Sequence, residues 1–182
     1  MAERTGKGRR PSAAMSAARA AAIVEHLEER GIAVWLEGGW GIDALLGRET
    51  REHDDLDVIV SLDQAAEIED ALRSLGYDTK RGEAPKSFEV VDAEGQQVDV
   101  HPVAFQPSGE AVYLMDAGRE WTYPAGSLAG CGEIAGRPVR CLTPDMALVC
   151  HSTGYALDAA HQRDVEALCD RFRLPLPPVE TA

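Results

Sequence analysis

No stretch of this chain approaches the ~20 consecutive apolar residues that a membrane span requires. The opening MAERTGKGRRPSAA has no apolar core of the kind a secretory leader needs, so neither a membrane partner nor export is expected. Basic residues are scarce: 18 Lys and Arg stand against 31 Asp and Glu, a formal charge of −13. That field repels DNA and RNA and attracts cations, which argues against nucleic acid and favours a cationic small molecule. The four cysteines, Cys131, Cys141, Cys150 and Cys169, form no CxxC and no paired metal spacing. Reduced thiols in a cytoplasmic protein are the expectation. No internal repeat is visible.

A length of 182 residues with 45% hydrophobic content suffices for one core with a small helical unit appended. Residues 1–15 read as a disordered, locally basic tail. Residues 16–30 read as a helix, capped by Ser16, stopped by Gly31 and striped by Ile23, Val24 and Leu27. Residues 32–36 are a first strand, which Gly38 and Gly39 break. A short helix over 41–46 ends at Gly47, and 56–60 is a second strand. Ser61 with Gln64 reads as a capping box opening a helix to about Leu75. Strands are expected at 77–80, 88–92 and 97–105. Residues 106–130 mix loop with irregular strand, and 131–141 form a hairpin bent at Ala135-Gly136. Thr143-Pro144 starts a helix that ends near His151, and a last helix covers about 157–172. The sum is an α/β fold, a mixed sheet of about five strands flanked by helices. The main α/β domain would span 16–130, and the hairpin with a C-terminal helical unit 131–182.

The chemistry lies in LEGGWGIDALLGRETREHDDLDVIV, residues 36–60. Asp55 and Asp57 are two apart on a strand and therefore project to one side, with Leu56 and Val58 on the other. Two like charges near 4 Å repel by roughly 4 kcal/mol at the effective dielectric of a protein surface. A hard cation or a shared proton between them relieves that cost. Asp99 and His101 alternate in the same way along VDVHPV, so three carboxylates and an imidazole would meet if the two strands are neighbours. Glycines at 38 and 39 allow backbone N–H groups close to an anion. Phosphate cradle and cation site together indicate nucleotide chemistry. Each motif has a plainer reading as well: a strand-ending turn for the glycines, a solvated edge pair for the carboxylates, a packing anchor for Trp40 and a loop support for Asp43.

GGWGIDALLGRETREHDDLDVIV, followed by VDVHPVAF and HSTGY, resembles the antibiotic nucleotidyltransferases over roughly residues 18–172. The likeness is greatest to the small lincosamide and aminoglycoside 2''-O-adenylyltransferases of the polymerase-beta-like nucleotidyltransferase superfamily. The resemblance implies that fold, Mg²⁺, and ATP or another NTP as co-substrate. It implies that AMP or another NMP moves to a hydroxyl of a small, cationic antibiotic with release of pyrophosphate. By the same resemblance Gly38 and Gly39 hold the triphosphate, and Arg51 and His53 contact phosphate or nucleotide. Asp55 and Asp57 bind metal, while Asp99 completes the metal site or acts as general base. Glu89, His101, His151 and Tyr155 are the candidate substrate contacts. Gly39-Trp40 stands where the broad superfamily has Gly-Ser, and HSTGY carries one residue more than the HTGY of the family. His161 precedes Asp164 where the family often has an acid. A protein or nucleic-acid acceptor, as in toxin–antitoxin systems, and a non-catalytic ligand-sequestering module are the rival readings. A homodimer stays open.

Overall fold

The computed structural model describes residues 14–115, 118–153 and 159–177. The chain is already anchored at Met15, whose side chain is buried and whose N–H donates to the His53 carbonyl at 2.7 Å. Helix α1, Ala17–Glu29, starts where the Arg19 N–H donates to Ser16 Oγ at 3.2 Å, as the cap reading requires. Strand β1 (Val34–Leu36) leads into α2 (Gly38–Leu46), and β2 (Asp55–Ser61) follows a loop. Then come α3 (Ala65–Ser74), β3 (Asp78–Gly82), β4 (Phe88–Val91) and the nine-residue β5 (Gln97–Phe105). Hairpins β6 (Ala111–Leu114) with β7 (Glu120–Tyr123), and β8 (Gly130–Ile134) with β9 (Arg137–Cys141), precede α4 (Pro144–Ser152) and α5 (Ala159–Phe172).

The mixed sheet runs β3-β4-β5-β2-β1-β9-β8, with β6 pairing β5 and β7 pairing β6. Nine described strands stand where composition suggested about five. Part of the difference is β6–β7, hidden in the Gly- and Pro-rich stretch 106–130: β5 is long enough to pair β4 with its first half and β6 with its second. The 131–141 hairpin lies parallel to β1 through β9 and extends the main sheet. Two further boundaries differ from expectation. The glycine pair begins α2 rather than preceding it, because Gly41 N–H already donates to the Glu37 carbonyl at 3.0 Å. The Ser61–Gln64 capping box does not form: Leu62–Gln64 is a single 3-10 turn. Gln64 instead reaches back to the loop after α1, donating to the Gly31 carbonyl at 3.0 Å and accepting from Ala33 N–H.

Period-two alternation divides the sheet chemically. Leu56, Val58, Val60, Val98, Val100, Phe88 and Val90 pack in one core with Ile23, Val24 and Leu27 of α1 and Ile68 and Leu72 of α3. Burying each large apolar side chain contributes about 1.5–3 kcal/mol. On the opposite face Ile59 and Val103 pack with Met146 and Leu148 of α4 and Val165 and Leu168 of α5. The carboxylates of β2 and β5 take up the part of that face that those helices leave uncovered. No helix among the described residues is long and apolar enough to cross a membrane.

Candidate active site

Strands β2 and β5 are parallel neighbours, with Asp57 opposite Asp99 and Ile59 opposite His101. Glu89 of β4 faces Asp99 from the other side, so Glu89, Asp99 and Asp57 form one row across three strands. Asp55 lies two residues back along β2, opposite Gln97, whose amide donates to Asp99 Oδ1 at 2.7 Å. Burial, then the charges of Asp57 and Asp99, pushes the Asp55 carboxyl up to about 7. Burial and then Asp57 hold Asp99 at about 6. His101 Nε2 lies 3.5 Å from Asp57 Oδ1, and its Nδ1 is 3.3 Å from the Tyr113 hydroxyl. Burial opposes charge on His101, but the bond to Asp57 and the charges of Glu37, Asp57 and Asp99 outweigh it and raise the ring to about 9. Among the described residues no three His, Cys, Asp or Glu side chains converge as a finished cage for one metal ion.

The N-terminus of α2 lies directly over this row. Gly38 has φ +59, and a Cβ there would fall on Asp57 Oδ2, so both backbone and space demand glycine. A Cβ on Gly39 would fall on His53 Nδ1 and come within 2.9 Å of Arg51 Nη2. The first-turn N–H groups of such a helix have no intrahelical acceptors, and with the helix dipole they favour an anion. Beneath Gly39 two basic side chains are each held by an acid. His53, 3% exposed, bonds through Nε2 to Asp43 Oδ2 at 2.6 Å and packs on Trp40 with ring centroids 4.5 Å apart. Asp43 also accepts from Thr50 Oγ1 at 2.5 Å, which ties the loop to the helix. Arg51 pairs with Asp164 of α5 at 2.9 Å.

A cleft of about 620 Å³ opens beside Asp57 and Gly38. One wall is the β6–β7 hairpin, with Tyr113, Met115, Arg119, Glu120, Trp121 and Tyr123; the other is α4 and α5, with Cys150, His151 and His161. Glu37, the N-cap of α2, lies at its floor and accepts from the Tyr123 hydroxyl at 3.0 Å. Burial first, with the Asp57 charge adding to it, raises the Glu37 carboxyl above its ordinary range, although His101 acts the other way. Burial also lowers His151.

Of the candidate residues taken from sequence, Gly38, Gly39, Asp55, Asp57, Asp99 and His101 meet around one spot, and His151 lines the cleft. Arg51 and His53 lie under Gly39, the histidine buried and engaged by Asp43. Glu89 shares the carboxylate row, but its side chain is taken by Lys80 at 3.1 Å and Arg81 at 2.8 Å and does not line the cleft. Tyr155 lies outside the described residues. Sequence reasoning missed Glu37, Tyr113, Trp121 and Tyr123. For Glu37 a signal existed, a lone carboxylate closing an apolar strand at the glycine pair. The three aromatics lie in the stretch whose glycines and prolines read as loop. All four cysteines are free, in keeping with reduced thiols.

Comparison with known proteins bears on the family and the fold. The family model described as aminoglycoside-2''-adenylyltransferase matches residues 20–168. A lincosamide resistance protein of Staphylococcus haemolyticus is 25% identical over 146 residues, covering 80% of this chain and 89% of that protein. A 2''-aminoglycoside nucleotidyltransferase of Escherichia coli is 36% identical over 121 residues, 65% of this chain and 63% of that protein, so the match spans just under two thirds of that relative. Among solved structures, the lincomycin-bound lincosamide antibiotic adenylyltransferase LnuA superposes with a TM-score of 0.71 at 24% identity, covering 81% of this chain and 92% of that one. ANT(2'')-Ia in complex with adenylyl-2''-tobramycin gives a TM-score of 0.64 at 27% identity, covering 82% and 85%. With its nucleotidyltransferase fold and a matched segment that takes in β2, β5, the glycine turn and both walls of the cleft, the chain belongs to the aminoglycoside-2''-adenylyltransferase family and is a nucleotidyltransferase enzyme.

Proposed function

We propose that this enzyme moves a nucleoside monophosphate, AMP from ATP, onto a hydroxyl of a small antibiotic that carries an amine, with Mg²⁺ as cofactor, in the cytoplasm. The observation that carries the reading is the register of Asp57 against Asp99 on parallel strands, with Gly38 packed onto Asp57. The donor set fits a hard divalent ion: three carboxylates share one face, and burial, then mutual repulsion, raises two of them. Mg²⁺ typically takes one or two protein carboxylates and fills its shell with water and substrate phosphates, so a site without a finished cage suits it. Asp55 and Asp57 would hold it, and when bound it would neutralise charge on the phosphates and favour in-line displacement.

The remaining steps belong to the chain. The α2 N-terminus and Arg51 orient the β- and γ-phosphates, with His53 fixed below. The acceptor oxygen forms a bond to the α-phosphorus as the bond from that phosphorus to the bridging oxygen breaks. Pyrophosphate departs with the electron pair, and the hydroxyl proton passes to Asp99. A base whose ordinary range has been raised toward neutrality is suited to that transfer.

The cleft refines the acceptor. Net charge alone favours a polycation, but the walls combine Tyr113, Trp121, Tyr123 and Met115 with the acids Glu37 and Glu120 and the cation Arg119, while at the metal end Asp57 is matched by a charged His101. Aromatic and thioether surface takes an apolar body, and one or two acids suit a single ammonium. A lincosamide-like acceptor is therefore preferred over a polycationic aminoglycoside. Incubation with ATP, MgCl₂ and a panel of both classes, read by mass spectrometry and a pyrophosphate assay, tests this. The expected result is one AMP added to a lincosamide. Absence of any adduct and of pyrophosphate across the panel would refute the proposed transfer.

A further inference from the structure

The two acids that hold the basic side chains under Gly39 differ in origin. Asp43 belongs to α2, the helix it serves, whereas Asp164 comes from α5, 113 residues from Arg51 in sequence. Asp164 is 2% exposed, and its carboxylate accepts from Arg51 Nε at 3.2 Å and from Nη2 at 2.9 Å. Arg51 Nη1 donates to the Glu52 carbonyl at 3.1 Å, so the plane of the guanidinium is set from two directions. The arginine side chain keeps 27% exposure, and Nη2 lies 2.9 Å from the point where a Gly39 Cβ would stand. One edge of the guanidinium fork therefore remains open at the glycine peptide. A guanidinium recognises phosphate by the direction of its N–H bonds, so an arginine at this place is only as useful as its orientation is fixed.

We infer that Asp164 is a positioning residue: from α5 it holds the Arg51 guanidinium beneath the Gly39 peptide, so that the C-terminal helical unit governs affinity for the polyphosphate of the donor nucleotide. The inference rests on the polyphosphate site proposed above. Its consequence is that the same helical unit serves both substrates. Through His151 and His161 it walls the acceptor cleft, and through Asp164 it reaches Arg51 in the loop after α2. A plain ion pair between that loop and α5 would leave nucleotide affinity untouched once the protein is folded.

The test uses the full chain with Mg·ATP and, separately, Mg·tripolyphosphate, titrated by calorimetry on wild type, Asp164→Asn, Asp164→Glu, Arg51→Gln and the double variant Asp164→Asn/Arg51→Gln. Circular dichroism confirms folding. Asp164→Asn should weaken both ligands about tenfold, the size expected when a charged hydrogen-bond partner is lost. Asp164→Glu should recover most of that loss, and the acceptor KM should change less than the nucleotide affinity, because Asp164 reaches the cleft only through its charge on His151. The double variant should be no weaker than Arg51→Gln, because Asp164 acts only through that arginine. Wild-type affinity in folded Asp164→Asn, or a further loss in the double variant, overturns the positioning role alone. Failure of wild type to bind either ligand overturns the polyphosphate site and this role together. Should Asp164→Asn not fold, Arg51→Lys keeps the charge without the fork, and unchanged affinity there overturns the inference equally.

Discussion

The two halves of the site are built by different means. The donor half is local: Val34 to Ser61 form one strand–helix–strand unit in which Gly38, Gly39, Arg51, His53, Asp55 and Asp57 stand within 20 residues of one another. Its long-range elements are Asp99 on β5 and Asp164 on α5. The acceptor half is gathered from distant segments: Glu37 at the α2 cap, His101 on β5, Tyr113 to Tyr123 on a hairpin, and Cys150, His151 and His161 on two helices. The donor half has little freedom, since a Cβ at Gly38 or Gly39 would strike Asp57 or His53. The acceptor half is an open cleft whose wall is a two-stranded hairpin hanging from the second half of β5. On the reading proposed above, chemistry common to all substrates would be held by this closely packed turn, and recognition left to surfaces that change at small structural cost.

This division can be broken or sharpened by substitution. The largest effect is expected from Asp57→Asn, which removes the carboxylate on which Gly38, His101 and the metal reading all meet. Turnover should fall by about 10³-fold or more while the circular dichroism spectrum is kept. The rise in melting temperature on adding MgCl₂ with ATP should vanish with it. Substantial residual turnover would dissolve the distinction, because the donor half would then not hold the chemistry. Trp121→Ala comes next. It should raise the acceptor KM about tenfold and leave the KM for ATP unchanged, as expected when one aromatic anchor of a binding wall is lost. A matching rise in the ATP KM would show that the two halves are not separable at the hairpin. The smallest effect belongs to Tyr123→Phe, which removes the hydroxyl bonded to Glu37. A change of about threefold to tenfold in acceptor KM is expected, the worth of one hydrogen bond at a partly buried carboxyl. Steady-state kinetics with each substrate varied in turn would show whether ATP is spared.

How legible each half was follows from the same contrast. The carboxylate pair could be read because a strand with period-two alternation leaves no doubt that Asp55 and Asp57 share a face. That Asp99 stands beside them depended on β2 pairing β5 in parallel, which is a matter of topology. The glycine pair was visible as an anion cradle, yet its place as the first turn of α2 was not, since isolated glycines ordinarily end elements. Arg51 and His53 stood out by their position before the Asp pair, whereas their holders, Asp43 and Asp164, could not be matched to them at separations of 10 and 113 residues. Glu89 shows the converse. Its register places it in the carboxylate row, but Lys80 and Arg81 on the adjacent strand draw its side chain to themselves.

Composition and local pattern by themselves determined the class of the fold, α1 with its Ser16 cap, the alternating acids and the likeness to a family, because each depends on residues a few positions apart. Only the tertiary structure decided which carboxylates are neighbours, which acid holds which base and what lines the cleft. Those pairings are set by the order of strands in the sheet and by the seating of α4 and α5 on α2, where contact is a matter of distance in space and chain separation carries no information.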